Sequence, residues 1–359
     1  MNKSRSAFWD IMKGLGIIAV VVGHSGSVLT PLVYMYHLIL FFYVSGYLYN
    51  DTYSNDPYLF IGKRIKSIWL LAVKYVLFFI LIHNLLVKIA VYSSSNTGLY
   101  DRNGFISTII NSIFLRNLEG MGGALWFIPL LFFAVIGFSF IRWSSLRIKH
   151  DVIKEVKISS ITILLAVLGN YLINNQIYFD YHLHLIFIVF PILQIAFLTK
   201  KYLPKIQYKW YLALISLAIL LFIWYYTKQN IELSQSVIIN IYVFYLVSIA
   251  GVYMNLYIAS KILLVNKLSQ LLSYIGNKSF HIMALHFLCF KVVEYFCYLV
   301  FKNQYSDISA YPFSHREYWV AHCICGIAIP TLILYCWERS IIKITAFAKK
   351  NMYLKSLNF

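Results

Sequence analysis

Asp10, Lys13 and His24 lie in a single apolar stretch near the N-terminus, WDIMKGLGIIAVVVGH. A segment that needed only to be apolar would carry none of them, because ionisable groups inside a membrane helix are costly and face a cavity or a partner. At about 100° per residue, the eleven-residue step from Lys13 to His24 returns to within about 20° of the same helix face, and Asp10 lies about 60° from Lys13. The stripe holds a cation near one end and an imidazole about 16 Å further along. A lysine can hold an anionic group as a point charge. A histidine, titrating near about 6.5, is suited to taking a proton from a hydroxyl. Asp10 is about 21 Å from His24 along the axis, so this helix cannot supply a Ser-His-Asp triad by itself. Taken singly, Lys13 could simply snorkel to an interface and His24 could be a packing residue.

The next apolar run, MYHLILFFYVSGYLY, brings Tyr36, His37, Ser45, Gly46 and Tyr47. The connection from Ser25 to Pro31 is short, which predicts adjacent antiparallel helices with His37 at a depth similar to that of His24.

The elements that must position these residues follow from composition. Of 359 residues, 60% are hydrophobic and only 12% charged, with a mean hydropathy of +0.70. A soluble domain carries about 25% charged residues, so a soluble globular enzyme is excluded. Ten apolar runs of spanning length are predicted, at about 9–29, 31–49, 67–92, 124–141, 158–173, 183–199, 210–227, 236–257, 280–301 and 318–338. The fold class is therefore all-α, a polytopic membrane protein with about ten transmembrane helices. Of the 31 Lys and Arg, 22 fall on one side, among them Lys3, Arg5, Arg142, Lys205, Lys343, Lys349, Lys350 and Lys355. Lys88, Arg102, Arg116, Lys228, Lys302 and Arg316 face them, and Lys13, Lys74 and Lys291 lie within spans. This bias puts both termini in the cytoplasm and accounts for the net charge of +18 without nucleic acid. A single domain over 1–359 in the cell (inner or plasma) membrane, with no further soluble domain, is expected.

Two other segments are predicted to lie along membrane faces. Residues 93–123 combine a polar turn (Ser93, Ser94, Ser95, Asn96), an amphipathic stretch from Phe105 to Leu115 and a glycine-rich end, on the outer side. Lys261 to Ser273 does the same on the inner side. The five cysteines fall in apolar runs without a CxxC pair and read as small hydrophobes, with no metal site expected. Lys291 and Glu294, three apart in one span, are predicted to pair with each other. His182 and His184 read as interface residues at a helix start.

The ordered set of Asp10, Lys13, ten residues, His24, then Tyr36-His37 and Phe41-Phe42-x-x-Ser45-Gly46-Tyr47, resembles membrane-bound acyltransferase family 3, closest to the fucose 4-O-acetylase-like branch. Lys63, Arg64 and Lys66 resemble the family's basic cluster after the second span. Gly123-Ala124-Leu125-Trp126-Phe127 resembles its Leu-Trp-Phe segment, and Ser279 through His286 its late Ser-x6-His segment. The likeness runs from Asp10 to about His286. The chain departs from the family in having Lys13 where Arg is usual, which exchanges a bidentate phosphate contact for a point charge. Its basic cluster keeps the family spacing only as Lys63 and Lys66. Many relatives also carry a soluble hydrolase-like domain.

The resemblance implies transfer of an acetyl or other acyl group from cytoplasmic acetyl-CoA, a co-substrate, to a hydroxyl of a cell-surface or lipid-linked glycan, within membrane lipid. Lys13, Lys63, Arg64, Lys66 and His286 would line the donor site, with His24 as general base. His37 would orient His24 or hold the acceptor, against a packing role. Ser45, Glu119, Trp126 and Phe127 are the candidate acceptor residues. Glu119 could also orient a histidine or be a solvated loop charge, and Ser45 is the nominee for a covalent relay. The rival function is a transporter or flippase for a glycan or lipid-linked sugar, against which stands the absence of any visible inverted repeat.

Overall fold

The computed structural model describes residues 3–93, 98–116, 118–204, 206–227, 231–302 and 308–356, the side chains of 3–5 and 342–356 excepted. Ser94, Ser95, Asn96, Lys205 and Lys228 therefore lie outside the described residues. So do the side chains of Lys3, Arg5, Lys343, Lys349, Lys350 and Lys355.

The chain folds into helices α1 (Lys3–His24), α2 (Thr30–Tyr34), α3 (His37–Leu48), α4 (Thr52–Asn55), α5 (Pro57–Arg64), α6 (Leu70–Lys88), α7 (Arg102–Ile113) and α8 (Phe127–Trp143). There follow α9 (Asp151–Asn174), α10 (His184–Tyr202), α11 (Trp210–Thr227), α12 (Ile241–Ile262), α13 (Asn266–Asn277), α14 (Ser279–Phe301) and α15 (Trp319–Ser356). Among the described residues, ten stretches are long and apolar enough to cross a membrane, matching the ten predicted runs. Helices satisfy their own backbone groups, which is what hydrocarbon demands of a spanning segment. The only β pairing among the described residues is an isolated bridge between Glu232 and Val237.

α1 is the hub, packed against α2, α3, α12, α13, α14 and α15. Its core side chains, from Trp9 through Ile11, Met12, Ile17 and Val20 to Val21, are buried. At its Lys13 end it meets α13 backbone to backbone. A Cβ on Gly276 would stand 1.8 Å from the Asp10 carbonyl oxygen, and one on Gly14 2.5 Å from that of Leu272, so both positions require glycine. The predicted inner-face segment is thus a helix laid across the first turns of α1. α11 and α15 instead expose large apolar residues such as Phe222, Tyr225, Ile324, Leu332 and Trp337. That exposure suits lipid rather than water.

The second predicted span is broken. α2 ends at Tyr34, Tyr36 adopts φ −145° and ψ −15°, and His37 opens α3. α3 alone rises about 18 Å, short of a hydrocarbon core about 30 Å thick, so the crossing needs both pieces. The break is wedged by α12, where a Cβ on Gly251 would fall 2.2 Å from the Tyr36 Cβ. Non-helical backbone at such a depth is tolerated where it borders a cavity.

Toward the end of the bundle opposite His24 lies a buried ionic knot. Arg142, assigned from sequence to a loop, is fully buried. Its Nε donates to Asp51 Oδ1 at 2.6 Å and its Nη2 to Glu155 Oε1 at 3.0 Å, while Nη1 reaches Gln194 Oε1 at 3.2 Å. The guanidinium also lies 3.5 Å from the Phe197 ring centroid. Lys154 and Lys201 supply further charge to Asp51 and Glu155. The knot ties α8, α9, α10 and the turn after α3 together.

Candidate active site

His24 is the last residue of α1, and its ring is held from α14. His24 Nδ1 lies 2.9 Å from His286 Nε2, and the two rings stack at 5.2 Å. The other nitrogen of His286, Nδ1, lies 2.8 Å from the Met283 carbonyl oxygen and 3.2 Å from that of Ile282. A carbonyl only accepts, so His286 carries its proton on Nδ1 and its Nε2 is an acceptor. His24 must then donate through Nδ1, which leaves its Nε2 as the nitrogen with a free lone pair. Sequence reasoning placed His286 along the donor channel. The structure puts it beside His24, at the same level of the bundle.

Two cavities meet at His24. One, of about 780 Å³, is walled by Gly26, Ser27, Thr30, Tyr34 and Gln235 on one side and by Phe287, Tyr311, Phe313 and Arg316 on the other. The second is a constriction of about 20 Å³ shared by His24, His37, Trp126, Phe127, Tyr34 and Glu232. His37 donates Nδ1–H to the Val33 carbonyl at 3.0 Å and stands 4.8 Å, ring to ring, from Tyr34. Four residues nominated from sequence, His24, His37, Trp126 and Phe127, are therefore brought to one point. Phe127 opens α8 and is buried against Phe41 and Phe42. Trp126 ends the 3-10 turn Gly120–Trp126 and also lines a third cavity of about 670 Å³ with Arg116 and His182.

Other nominees lie elsewhere. Ser45 is eight residues along α3 from His37, about 12 Å further into the bundle. Glu119 is a buried hub rather than a solvated charge. Its Oε2 accepts from His83 Nδ1 at 3.0 Å and its Oε1 from the Tyr100 hydroxyl at 2.8 Å. Burial and that carboxylate push the Tyr100 hydroxyl up to about 12, so it stays a donor. The histidine that Glu119 orients is His83. His184 is buried, not interfacial, and its Nε2 lies 2.5 Å from Ser236 Oγ. Lys291 and Glu294 do not pair with each other as predicted. Lys291 donates to the Ile308 carbonyl at 2.8 Å and to that of Ala310. Glu294 accepts from Ser314 N–H at 3.1 Å and from His315 and His322, each at 3.0 Å.

The nominated cations sit at the Lys13 end. Lys13 pairs with Asp10 at 2.8 Å. Lys63 lies over the Tyr53 ring and Arg64 over that of Phe60, 4.8 Å from its centroid. Lys66 is exposed in the π-helical stretch Ile65–Trp69 between α5 and α6. Arg64 Nε is buried without a hydrogen-bond partner among the described residues, a spare donor of the kind a phosphate oxygen would satisfy. Among the described residues no three His, Cys, Asp or Glu side chains are grouped to hold a metal ion.

Sequence reasoning missed Tyr34, Phe287, Glu232 and Arg316. Tyr34 stands edge-on to His24 at 6.0 Å, and Phe287 stacks on it at 5.0 Å. Tyr34 had a signal in its position three residues before His37. Arg316 had one as a rare cation on the sparsely charged side. The other two carried none.

No curated relative and no solved structure matches the chain. A family model described as an acyltransferase domain matches residues 6–336. That match spans every element of the cavities around His24, and the chain belongs to membrane acyltransferase family 3 as a multi-pass acyltransferase.

Proposed function

We propose that the protein moves an acetyl group from acetyl-CoA to a hydroxyl of a cell-surface or lipid-linked glycan, with His24 as general base. The observation that carries this reading is the chain of hydrogen bonds from the Met283 carbonyl through His286 to His24, which leaves His24 Nε2 unprotonated beside a cavity large enough for a sugar ring. A sugar hydroxyl is scarcely ionised at neutral pH. Its proton passes to His24 Nε2 as its oxygen attacks the thioester carbon. A C–O bond forms, the C–S bond breaks, and the proton then passes to the departing thiolate of CoA. As the imidazolium forms, His286 Nε2 stays an acceptor for its Nδ1–H.

The donor enters from the Lys13 end, taken as cytoplasmic. Arg64, with its spare Nε, and the charges of Lys13, Lys63 and Lys66 are its phosphate partners, and the pantetheine arm spans the roughly 16 Å to His24. The acceptor occupies the cavity at the other end, where Tyr34, Tyr311 and Trp126 offer rings for a sugar face. Ser45 lies too far along α3 from the paired histidines to relay the acyl group, so direct transfer is favoured. The fucose 4-O-acetylase-like branch and a place in the cell membrane complete the proposal.

Membranes containing the wild-type protein should transfer label from [14C]acetyl-CoA to glycan with release of CoA. His24→Ala should lose the transfer by about 10²- to 10⁴-fold. Label transfer unchanged in His24→Ala would overturn the role of His24, and no transfer by wild type would overturn the reaction.

A further inference from the structure

The 780 Å³ cavity over His24 has a chemical bias. Its one formally charged wall residue among those described is Arg316, while Glu232 lies in the adjoining constriction behind Tyr34. No carboxylate among the described residues stands within ion-pair distance of that guanidinium, whereas Arg142 and Arg116 each have an acidic partner. The stem of Arg316 packs on the turn that follows His24. A Cβ on Gly26, two residues on, would lie 3.2 Å from Arg316 Cγ. Gly26 itself has φ +81°, so a side chain there would meet both strain and the loop that carries Arg316.

That loop is fixed in place at some cost. Lys291 and Glu294 of α14 are 2% and 1% exposed, and each makes its hydrogen bonds to groups other than its partner. Lys291 grips the carbonyls of Ile308 and Ala310, and Glu294 grips Ser314 and His315. Two buried ionisable groups thus clamp residues 308–315, and Tyr311, Phe313 and Arg316 become a built wall of the cavity. The clamp holds the rim in one place, with Arg316 exposed at the mouth of the cavity.

We infer that this cavity binds an acceptor bearing a negative charge, with Arg316 as its anion subsite. The inference rests on the acyltransferase reading above and deepens it by naming the acceptor class. A guanidinium presents paired donors that match a carboxylate or a phosphate, so the charge could be an acidic sugar of the glycan or the phosphate of a lipid linker. With the anion held at Arg316, a hydroxyl of the adjoining sugar reaches His24, and a neutral sugar leaves the guanidinium without a partner.

The test uses membranes containing the full chain, [14C]acetyl-CoA as donor, and anion exchange of the labelled products. Label should be retained on the exchanger. After mild acid cleavage of sugar-diphosphate bonds, label that becomes neutral assigns the charge to the linker, and label that stays anionic assigns it to the glycan. With the de-esterified anionic fraction titrated as acceptor, Arg316→Gln should raise its KM roughly 10- to 100-fold, with kcat and the KM for acetyl-CoA little changed. Arg316→Lys, which keeps the charge and loses the fork, should fall between. Label recovered in the neutral fraction, or an Arg316→Gln enzyme equal to wild type on the anionic acceptor, would overturn the anion subsite while leaving the acyltransferase standing. No label in any fraction would overturn both.

Discussion

The two ends of the helix bundle use charge in opposite ways. At one, Arg142 is fully buried and its guanidinium is shared among Asp51, Glu155 and Gln194, with Lys154 and Lys201 completing the set. Within that knot the charges satisfy one another, which sets it apart from Lys13, Lys63, Arg64 and Lys66 at the same end. At the other, His24 has one nitrogen fixed by His286, and among the described residues its second nitrogen and the rim residue Arg316 have no partner beside a large cavity. Satisfied polar networks rigidify and specify a fold, whereas groups left partly unsatisfied beside a cavity are where chemistry can be done. Lys291 and Glu294 belong to the first kind and serve the second, since they clamp the cavity wall.

The contrast can be broken by exchanging effects between the ends. Arg142→Met removes one member of the knot and leaves Asp51 and Glu155 facing each other's charge. Breaking a buried pair in this way costs about 3–5 kcal/mol, so the melting temperature in detergent should fall sharply. Acyl transfer per folded molecule should hardly change. Glu119→Ala strips His83 and Tyr100 of their shared acceptor, for a loss of about 2–3 kcal/mol, again read as a melting shift. Retention of transfer by the folded Glu119→Ala protein would mark it as a structural hub, and loss of transfer at unchanged stability would return it to the acceptor site. His286→Leu should lower kcat roughly 10- to 100-fold with acetyl-CoA affinity kept, because His24 loses the partner that sets its tautomer. His286→Gln, whose amide oxygen can still accept from His24 Nδ1–H, should recover most of that loss, which a merely space-filling role for His286 would not produce.

The smallest effect concerns pH. Burial would raise the Asp51 carboxyl, but Arg142 and Lys154 overcome this and hold it below the usual carboxylate range. A depressed carboxylate contributes stability that is present above its unfolded value of about 3.9 and is lost as pH falls through the lower folded value. The melting temperature should therefore vary little through this group between pH 7 and about 5 and decline only in stronger acid. Asp51→Asn should flatten that acid limb.

What could be read from sequence was whatever depends on one segment alone. The ten spans are legible because apolar runs of about twenty residues mark them, and the meeting of His24 and His37 is legible because the link from Ser25 to Pro31 is short. The break at Tyr36 was not, because no Gly or Pro marks it and the residue that makes room for Tyr36 there, Gly251, lies on α12. Arg142 was read as a loop charge because its partners, Asp51 and Glu155, come from other elements. Lys291 and Glu294 satisfy the spacing for an ion pair, yet the loop at 308–315 offers each better partners in a place where water cannot. His286 was placed by its depth in one helix, whereas its role follows from which neighbour that depth aligns it with.

The central claim is that His24 does chemistry at an end of the molecule that is open by construction. Its most direct test is purified His24→Gln, with melting temperature, acetyl-CoA binding and acetyl transfer measured on the same preparation. The account predicts a melting temperature and donor affinity close to wild type and transfer reduced by at least about 100-fold. Transfer at the wild-type rate, or a collapse in stability like that expected of Arg142→Met, would contradict it.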